Sequence, residues 1–208
     1  MGEICRVLKG CVCLMLVMSF SGCTHLNSEV PFSYEPSSVA VSKNIEKTAG
    51  FNLLLDKRPE SDIAYTDVIK DVSEKVTVKI IEDFDRSKIF KEIYFPLRGN
   101  EDVVINGTLN RFMWKKHVWK WEYIPGVDLL LELMGVPGMT FDATADITLE
   151  FKDAKSGEVL GVFRQSSTTT RTVNAYANPL PQNVGGELSD AFREVVNKLK
   201  CDLLEKIK

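Results

Sequence analysis

Residues 143–151 alternate between apolar and polar side chains, and this alternation constrains the fold more than any other feature of the chain. Successive side chains of a strand point to opposite faces, so the apolar residues would share one face. The segment Asp153–Gly157 that follows is typical of a hairpin turn, with glycine where positive φ is needed. Residues 158–170 would form the partner strand. The side chains predicted on the apolar face are Ala145, Ile147, Leu149 and Phe151.

Two amphipathic helices could cover this apolar face. Apolar residues spaced four apart predict a helix from an N-cap at Asp67 to about Asp85. Apolar residues three and four apart predict a second helix at the C-terminus. Cys201 lies about 200° around that helix from Leu199 and should be exposed. The apolar positions are Val68, Val72, Val76 and Ile80 in the first helix, and Leu188, Phe192, Val195, Val196, Leu199, Leu203 and Ile207 in the second.

Three further apolar segments are interpreted as strands, at residues 50–56, 89–95 and 103–121, the last of them bulged. The resulting order is β-α-β-β-β-β-α. Helices that share one face of a largely antiparallel sheet form an α+β fold. The sequence therefore predicts a two-layer sandwich with two helices packed on one face.

The N-terminus has the three-part organisation of an export signal. Arg6 and Lys9 are followed by an apolar run at residues 11–20 and by the small residues Ser21 and Gly22. The apolar run has about a dozen residues, whereas a helix that spans the bilayer core needs about 20. We therefore interpret residues 1–22 as a cleaved signal peptide rather than a retained membrane span.

The segment Phe20-Ser21-Gly22-Cys23 resembles the bacterial lipobox, with phenylalanine where leucine is usual. The resemblance implies transfer of diacylglycerol to the Cys23 sulfur, cleavage before this residue and a lipid anchor of the palmitate type. The alternative is a plain secretory signal. In the lipobox family, aspartate after the cysteine retains the protein at the inner membrane. Thr24 at this position therefore favours lipid anchoring in the outer membrane, facing the periplasm.

The mature chain would consist of a flexible tether at 23–48 and a single domain at 49–208. Pro and Ser dominate the tether and indicate an extended, solvated chain. Removal of the signal peptide changes the net charge from −3 to −4, which makes nucleic acid a poor partner. Cys201 would be the one thiol left in the mature chain, so an internal disulfide is excluded.

The sequence contains no recognisable catalytic constellation. It has two histidines, one in the tether (His25) and one in a strand (His117), too few for a triad or a histidine-based zinc site. Asp146 and Glu150 would share the outward face of a strand and are interpreted as a solvated surface. We therefore expect no enzyme activity, no catalytic residues, no metal and no cofactor.

Residues 119–141 are unusually apolar for a connection between strands. The inter-strand loop at 122–141 has Pro-Gly at each end, and a short helix is predicted from Val127 to Met134. Three interpretations remain open: the segment caps its own sheet, docks on an envelope partner or another copy, or enters the membrane surface. Lys115, Lys116 and Lys120 favour the membrane, whereas Asp128 and Glu132 oppose it. The predicted interaction surface comprises Trp119, Trp121, Tyr123, Leu129, Leu130, Leu131, Leu133 and Met134.

The element order resembles that of small α+β envelope lipoproteins. The strand ending in Asp-Lys-Arg-Pro at 56–59, the helix at 68–81, the alternating sheet and the terminal helix carry the resemblance. Members include the lipopolysaccharide-transport accessory lipoprotein, the curli-secretion lipoprotein and the N-terminal domain of the Tol-Pal β-propeller protein. The resemblance implies a non-enzymatic accessory or assembly factor of an envelope transport or secretion complex. The alternative is a periplasmic module that binds a lipid or another hydrophobic ligand.

Overall fold

A computed structural model of the chain describes Phe32 and residues 34–36, 44–62, 71–174 and 186–206. Within these residues, six strands form one sheet, and a 3₁₀ helix at Lys120–Tyr123 follows the long strand that ends at Val118. The elements in chain order are β1 (Ile45–Phe51), β2 (Leu55–Asp56), α1 (Val72–Arg86), β3 (Phe90–Tyr94), β4 (Val103–Val118), α2 (Val127–Leu133), β5 (Met139–Asp153), β6 (Val159–Val173) and α3 (Gly186–Lys206).

The sheet has the strand order β3-β1-β4-β5-β6, with β2 beside β4. Strands β4, β5 and β6 are antiparallel, and β4 pairs with β5 from Val103↔Asp153 to Val118↔Met139. The register shifts between Leu109 and Arg111, at the irregularity predicted for this strand. Strand β1 runs parallel to both β3 and β4. The predicted α+β sandwich with a mostly antiparallel sheet is confirmed, but the parallel pairing of β1 was not predicted.

The apolar face predicted from the alternation of β5 is the centre of the core. All four predicted residues of that face are buried, and Gly157 has a φ of 74° in the turn that follows. Val76 and Ile80 of α1 and Phe192 and Val196 of α3 are also fully buried in the same cluster. The hairpin and its two covering helices are therefore confirmed. Cys201 is exposed, as its position on the last helix predicts.

The first strand differs from the prediction of residues 50–56. Strand β1 begins at Ile45, inside the range predicted as tether, and ends at Phe51. The leucine run cannot turn every side chain inward: Leu54 is buried, whereas Leu53 and Leu55 are more than half exposed. The strand extends toward the N-terminus instead, because its backbone pairs with β3 on one side and β4 on the other.

A second part of the predicted tether also packs on the domain. Tyr34 is buried, and the ring of Phe32 lies 5.1 Å from Phe112 and 5.4 Å from Phe192, measured between ring centroids. Edge-to-face aromatic pairs of this kind favour packing over solvation. The remaining tether positions up to residue 31, the predicted N-cap Asp67, and Ile207 lie outside the described residues.

Gly107 lies where β4 approaches its neighbours too closely for a side chain. A Cβ atom at this position would lie 2.7 Å from Leu54 Cγ and 3.0 Å from Leu149 Cδ2. We expect Gly107→Ala to lower the free energy of unfolding by about 1–3 kcal/mol, because the core must shift to admit the methyl group. Ser166→Ala on exposed β6 is the control and should change it by less than about 0.5 kcal/mol. Equal urea midpoints for the two variants would contradict this packing.

Candidate functional site

The hairpin formed by β4 and β5 extends well beyond the neighbouring strands β1 and β2. Strands β1 and β2 pair with β4 between Val103 and Leu109, whereas the β4–β5 ladder continues to Val118↔Met139. Strand β6 follows β5 to the same end, at Met139↔Val173. The three strands carry a helical segment at residues 119–138, here called the tip.

The base of the tip is fixed by backbone and side-chain hydrogen bonds. The Trp119 amide donates to the Gly138 carbonyl at 3.0 Å, and the Gly138 amide donates to the Val173 carbonyl at 3.1 Å. The Asn174 side-chain amide donates to the carbonyls of Glu132 at 3.1 Å and Val136 at 2.7 Å. These bonds join the two ends of the tip to each other and tie its C-terminal half to Val173 and Asn174 at the end of β6.

Helix α2 in the tip begins and ends at glycines. Gly126 and Gly135 have φ values of 86° and 83°, in the left-handed region that favours glycine. The Asp128 carboxylate accepts hydrogen bonds from the backbone amides of Gly126 at 2.8 Å and Leu129 at 2.7 Å. The Val136 amide closes the other end by donating to the Leu131 carbonyl. The predicted short helix is therefore present, one residue shorter at its C-terminus.

Most of the predicted interaction surface is exposed. The exposed fraction is 73% for Tyr123, 70% for Met134 and 65% for Leu133. Trp121 and Leu131 are half-buried, and neither helix of the tip contains a buried residue. The interpretation in which this segment caps its own sheet is therefore inconsistent with the structure. The other exposed residues of the surface are Trp119, Leu129 and Leu130, and the structure adds Ile124 and Val127.

The polarity of the tip is the reverse of an ordinary protein surface. The acidic residues Glu122, Asp128 and Glu132 are half-buried, whereas the apolar side chains beside them face solvent. Glu122 packs so closely on Gly138 that a Cβ atom there would lie 1.5 Å from its Oε1. Covering an apolar side chain of this size contributes about 1.5–3 kcal/mol. Exposed apolar side chains grouped in this way are unusual on a soluble monomeric protein.

Aromatic and basic side chains surround the base of the tip. All three tryptophans of the chain lie at positions 114, 119 and 121. Trp114 stacks on Phe141 with ring centroids 5.3 Å apart, and the edge of His117 meets Trp119 at 5.9 Å. Lys115 and Lys120 are exposed, and so is His117, which agrees with its predicted position on the surface. The Lys116 side chain lies outside the part of the chain that the structure describes.

The face of the sheet opposite the helices carries a polar network. Asp146 accepts hydrogen bonds from the Arg164 guanidinium, at 2.7 and 3.0 Å, and from Asn110 at 3.0 Å. Burial raises the pKa of Asp146. The hydrogen bonds and the nearby Arg charges together lower it by more than that, so the pKa lies below its usual value. The predicted solvated position is therefore wrong for Asp146, which is buried beneath Arg164. Glu150 pairs separately with Lys152, so the two carboxylates have different cationic partners.

A buried charge cluster joins the two covering helices and was not predicted. The Lys200 ammonium donates to Asp83 Oδ1 at 2.5 Å and to Ser87 Oγ at 3.3 Å. The Tyr34 hydroxyl donates to the other Asp83 oxygen. Lys200 and Asp83 are almost completely buried. Because α1, α3 and the N-terminal segment all contribute, the cluster holds that segment on the helical layer.

Asn174 is the side chain on which the position of the tip depends most. We expect Asn174→Ala to raise the rate of amide hydrogen exchange within residues 132–138, because two carbonyls lose their donor. Exchange in the core of β5 should stay unchanged. Asn106→Ala, at the far end of β4, is the matched control. Equal exchange in the tip of both variants would show that Asn174 does not position it.

Two features are absent from the described ranges of the chain. No group of three or more His, Cys, Asp or Glu side chains in these ranges could hold a metal ion. Among the same residues, no helix is long and apolar enough to cross a membrane.

The sequence matches no family model and no curated protein. The fold is similar to solved structures. Protein XCC0632 from Xanthomonas campestris, of family DUF330, is 9% identical with a TM-score of 0.54, covering 85% of this chain and 93% of that one. A Helicobacter pylori protein described as a neuraminyllactose-binding hemagglutinin homolog is 9% identical with a TM-score of 0.51, covering 83% and 93%.

The similar structures also include lipoproteins, at lower similarity. The minor lipoprotein from Acinetobacter baumannii is 8% identical with a TM-score of 0.34, covering 79% of this chain and 92% of that one. The α+β fold is the property that this chain shares with the Xanthomonas campestris and Helicobacter pylori structures.

Proposed function

We propose that this chain is a non-enzymatic bacterial lipoprotein that acts as an accessory or assembly factor of an envelope transport or secretion complex. Cys23 would carry the lipid, and the domain would face the periplasm from the outer membrane. The observation that carries the proposal is the exposed apolar tip, which is built on a rigid hairpin and makes no contribution to the buried core.

The proposed anchor rests on the N-terminal sequence. An apolar run too short to span a bilayer ends in Phe20-Ser21-Gly22-Cys23, the pattern that resembles a lipobox. A chain attached at Cys23 needs no further element to stay at the membrane. The folded domain is then free to present a surface to other envelope components.

The proposed accessory role rests on a contrast between the exposed apolar side chains of the tip and the paired polar side chains on the sheet face opposite the helices. The polar groups of the open sheet face neutralise one another, as Arg164 does for Asp146. The tip instead leaves large apolar side chains in solvent, such as Leu133 and Met134. Because this arrangement costs solvation free energy and supplies no catalytic group, it favours docking over chemistry.

Mass spectrometry of the mature N-terminal peptide tests the anchor. We expect a peptide that begins at Cys23 and carries acyl chains. Cys23→Ser should abolish both the cleavage after Gly22 and the lipid. Cys201→Ser is the matched control and should leave both unchanged. An unmodified N-terminal peptide, or one that begins at another residue, would contradict the proposal.

A hydrophobic-ligand carrier is the second candidate function, because the exposed tip could cover an apolar molecule. A cleft of about 480 Å³ beside α1 does not fit this role, since five of its seven lining residues are charged. Mass spectrometry of an organic extract of the purified protein distinguishes the two functions. A lipid that is not attached to Cys23 and co-purifies at one equivalent would favour the carrier. Its absence would favour the accessory role.

A further inference from the structure

We propose that the tip inserts into the surface of the same membrane that holds Cys23, so that the domain is fixed to the lipid at two points. This inference rests on the proposed lipid anchor, and it names the partner of the tip as a lipid surface. It is carried by three observations: the reach of the N-terminal segment, the contrast between the two ends of the sheet, and the reversed polarity of the tip.

The N-terminal segment leaves the domain close enough to the tip for both to reach one plane. Phe32 packs on Phe112, which lies six residues before the end of β4 at Val118. A strand rises about 3.3 Å per residue, so the tip begins about 20 Å beyond this contact. Cys23 lies nine positions before Phe32, and a chain of nine residue steps spans at most about 30 Å. An anchor at Cys23 can therefore lie level with the tip.

The other end of the sheet lies at a similar distance but has the wrong chemistry. There the charged side chains of Lys155, Glu158 and Arg98 are exposed. Exposed apolar side chains also lie at this end, but Phe95, Leu97, Val159 and Leu160 are only 37–47% exposed, against 65–73% for Tyr123, Leu133 and Met134 of the tip. Of the two ends, the tip is therefore the one that fits a lipid surface.

The acidic residues of the tip do not oppose insertion in the folded structure. Asp128 Oδ1 accepts hydrogen bonds from two backbone amides, and Glu122 and Glu132 are less exposed than Leu133 and Met134. Trp119 and the exposed Lys120 lie at the base, where interfacial aromatic and basic side chains meet lipid headgroups. The leucines of α2 would then enter the acyl region.

Intrinsic fluorescence tests the inference directly, because all three tryptophans lie at or near the tip. The mature lipidated protein with Trp114→Phe is reconstituted into vesicles of phosphatidylethanolamine with a minority of phosphatidylglycerol. Some of these vesicles also contain phosphatidylcholine brominated in its acyl chains. We expect the bromine to quench most of the emission of Trp119 and Trp121.

Adding Leu130→Ser and Leu133→Ser should remove most of this quenching. Adding Val162→Ser, at an exposed position on β6, should leave it unchanged.

Vesicle flotation of the same samples separates the two proposals. Protein that floats with quenched emission supports both the anchor and the inserted tip. Protein that floats with unquenched emission overturns the inference and leaves the anchor standing. The tip would then be assigned to a protein partner or a second copy. Protein that does not float contradicts the anchor, whatever the emission shows.

Discussion

Replacing Lys200 with alanine is expected to lower the free energy of unfolding by about 3–5 kcal/mol, one of the two largest effects that the structure predicts. The substitution leaves the Asp83 carboxylate buried between α1 and α3 without its cation. Tyr34 still donates to Asp83, but a neutral hydroxyl cannot offset the desolvation of a full charge. Urea denaturation of the wild type and the variant measures the loss.

Lys198→Ala is the matched control for this effect. Lys198 lies on the same helix and pairs with Glu194 at 2.7 Å, but both side chains are largely exposed. A surface pair of this kind contributes less than about 1 kcal/mol. We also expect Asp83→Leu combined with Lys200→Met to destabilise less than Lys200→Ala alone, because no unpaired charge remains. Equal losses for Lys200→Ala and Lys198→Ala would contradict a structural role for the cluster.

Replacing the helical tip with a tight turn is expected to abolish vesicle binding and to leave the fold intact. Trp119 lies opposite Gly138 at the end of the ladder, so Asn-Gly can replace residues 120–137 as a two-residue hairpin turn. The removed residues include none of the buried core side chains. The free energy of unfolding should therefore change by about 1 kcal/mol or less, within the range of surface changes.

The chain beginning at Thr24 suits this measurement because it carries no lipid, and vesicle flotation then reports the tip alone. We expect the chain with its natural tip to float and the shortened chain to stay in solution. A variant with serine at Leu129, Leu130, Leu133 and Met134 keeps the length of the tip and should also stay in solution. Strong destabilisation of the shortened chain would instead show that the tip supports the core.

The parts of the fold that could be predicted from the sequence are those encoded by local periodicity. The alternation of β5 places Ile147 and Leu149 on the same face, and spacing of four places Val76 and Ile80 on one side of α1. These patterns need no knowledge of distant residues. The parallel pairing of β1 with β3 and β4 depends on contacts across more than forty residues, which local periodicity does not reveal. The leucine run at 53–55 is the local signal for a strand, and the strand predicted from it begins at residue 50 instead of Ile45.

The sequence contains evidence for the buried charge cluster, but periodicity alone does not show which two residues pair. Lys200 follows Val196 by four residues and precedes Leu203 by three, so it lies on the apolar face of α3. Asp83 follows Ile80 by three residues on the apolar face of α1. A charged residue on an apolar helix face predicts a buried partner. The identity of the partner, 117 residues away, required the structure.

The tip could be predicted from the sequence as an apolar segment with a short helix, but the burial of its acidic residues relative to its leucines could not. The two Pro-Gly pairs and the leucines identify the segment. Asp128 is half-buried where Gly126 adopts positive φ and donates its amide to the Asp128 carboxylate. This conformation is not encoded in hydropathy. The side chains of Asp128 and Glu132, which oppose membrane contact in the sequence, are less exposed in the fold than Leu133 and Met134.

Photo-cross-linking in intact cells tests the central claim, that the tip is the docking surface of this protein, most directly. A photoreactive amino acid is placed at Leu130 in the tip or at Ser166 on the exposed side of β6. If the tip is the docking surface, illumination should attach lipid or protein to position 130 and leave position 166 unmodified. Adducts at position 166 with none at position 130 would contradict the account and would identify the polar sheet face as the docking surface.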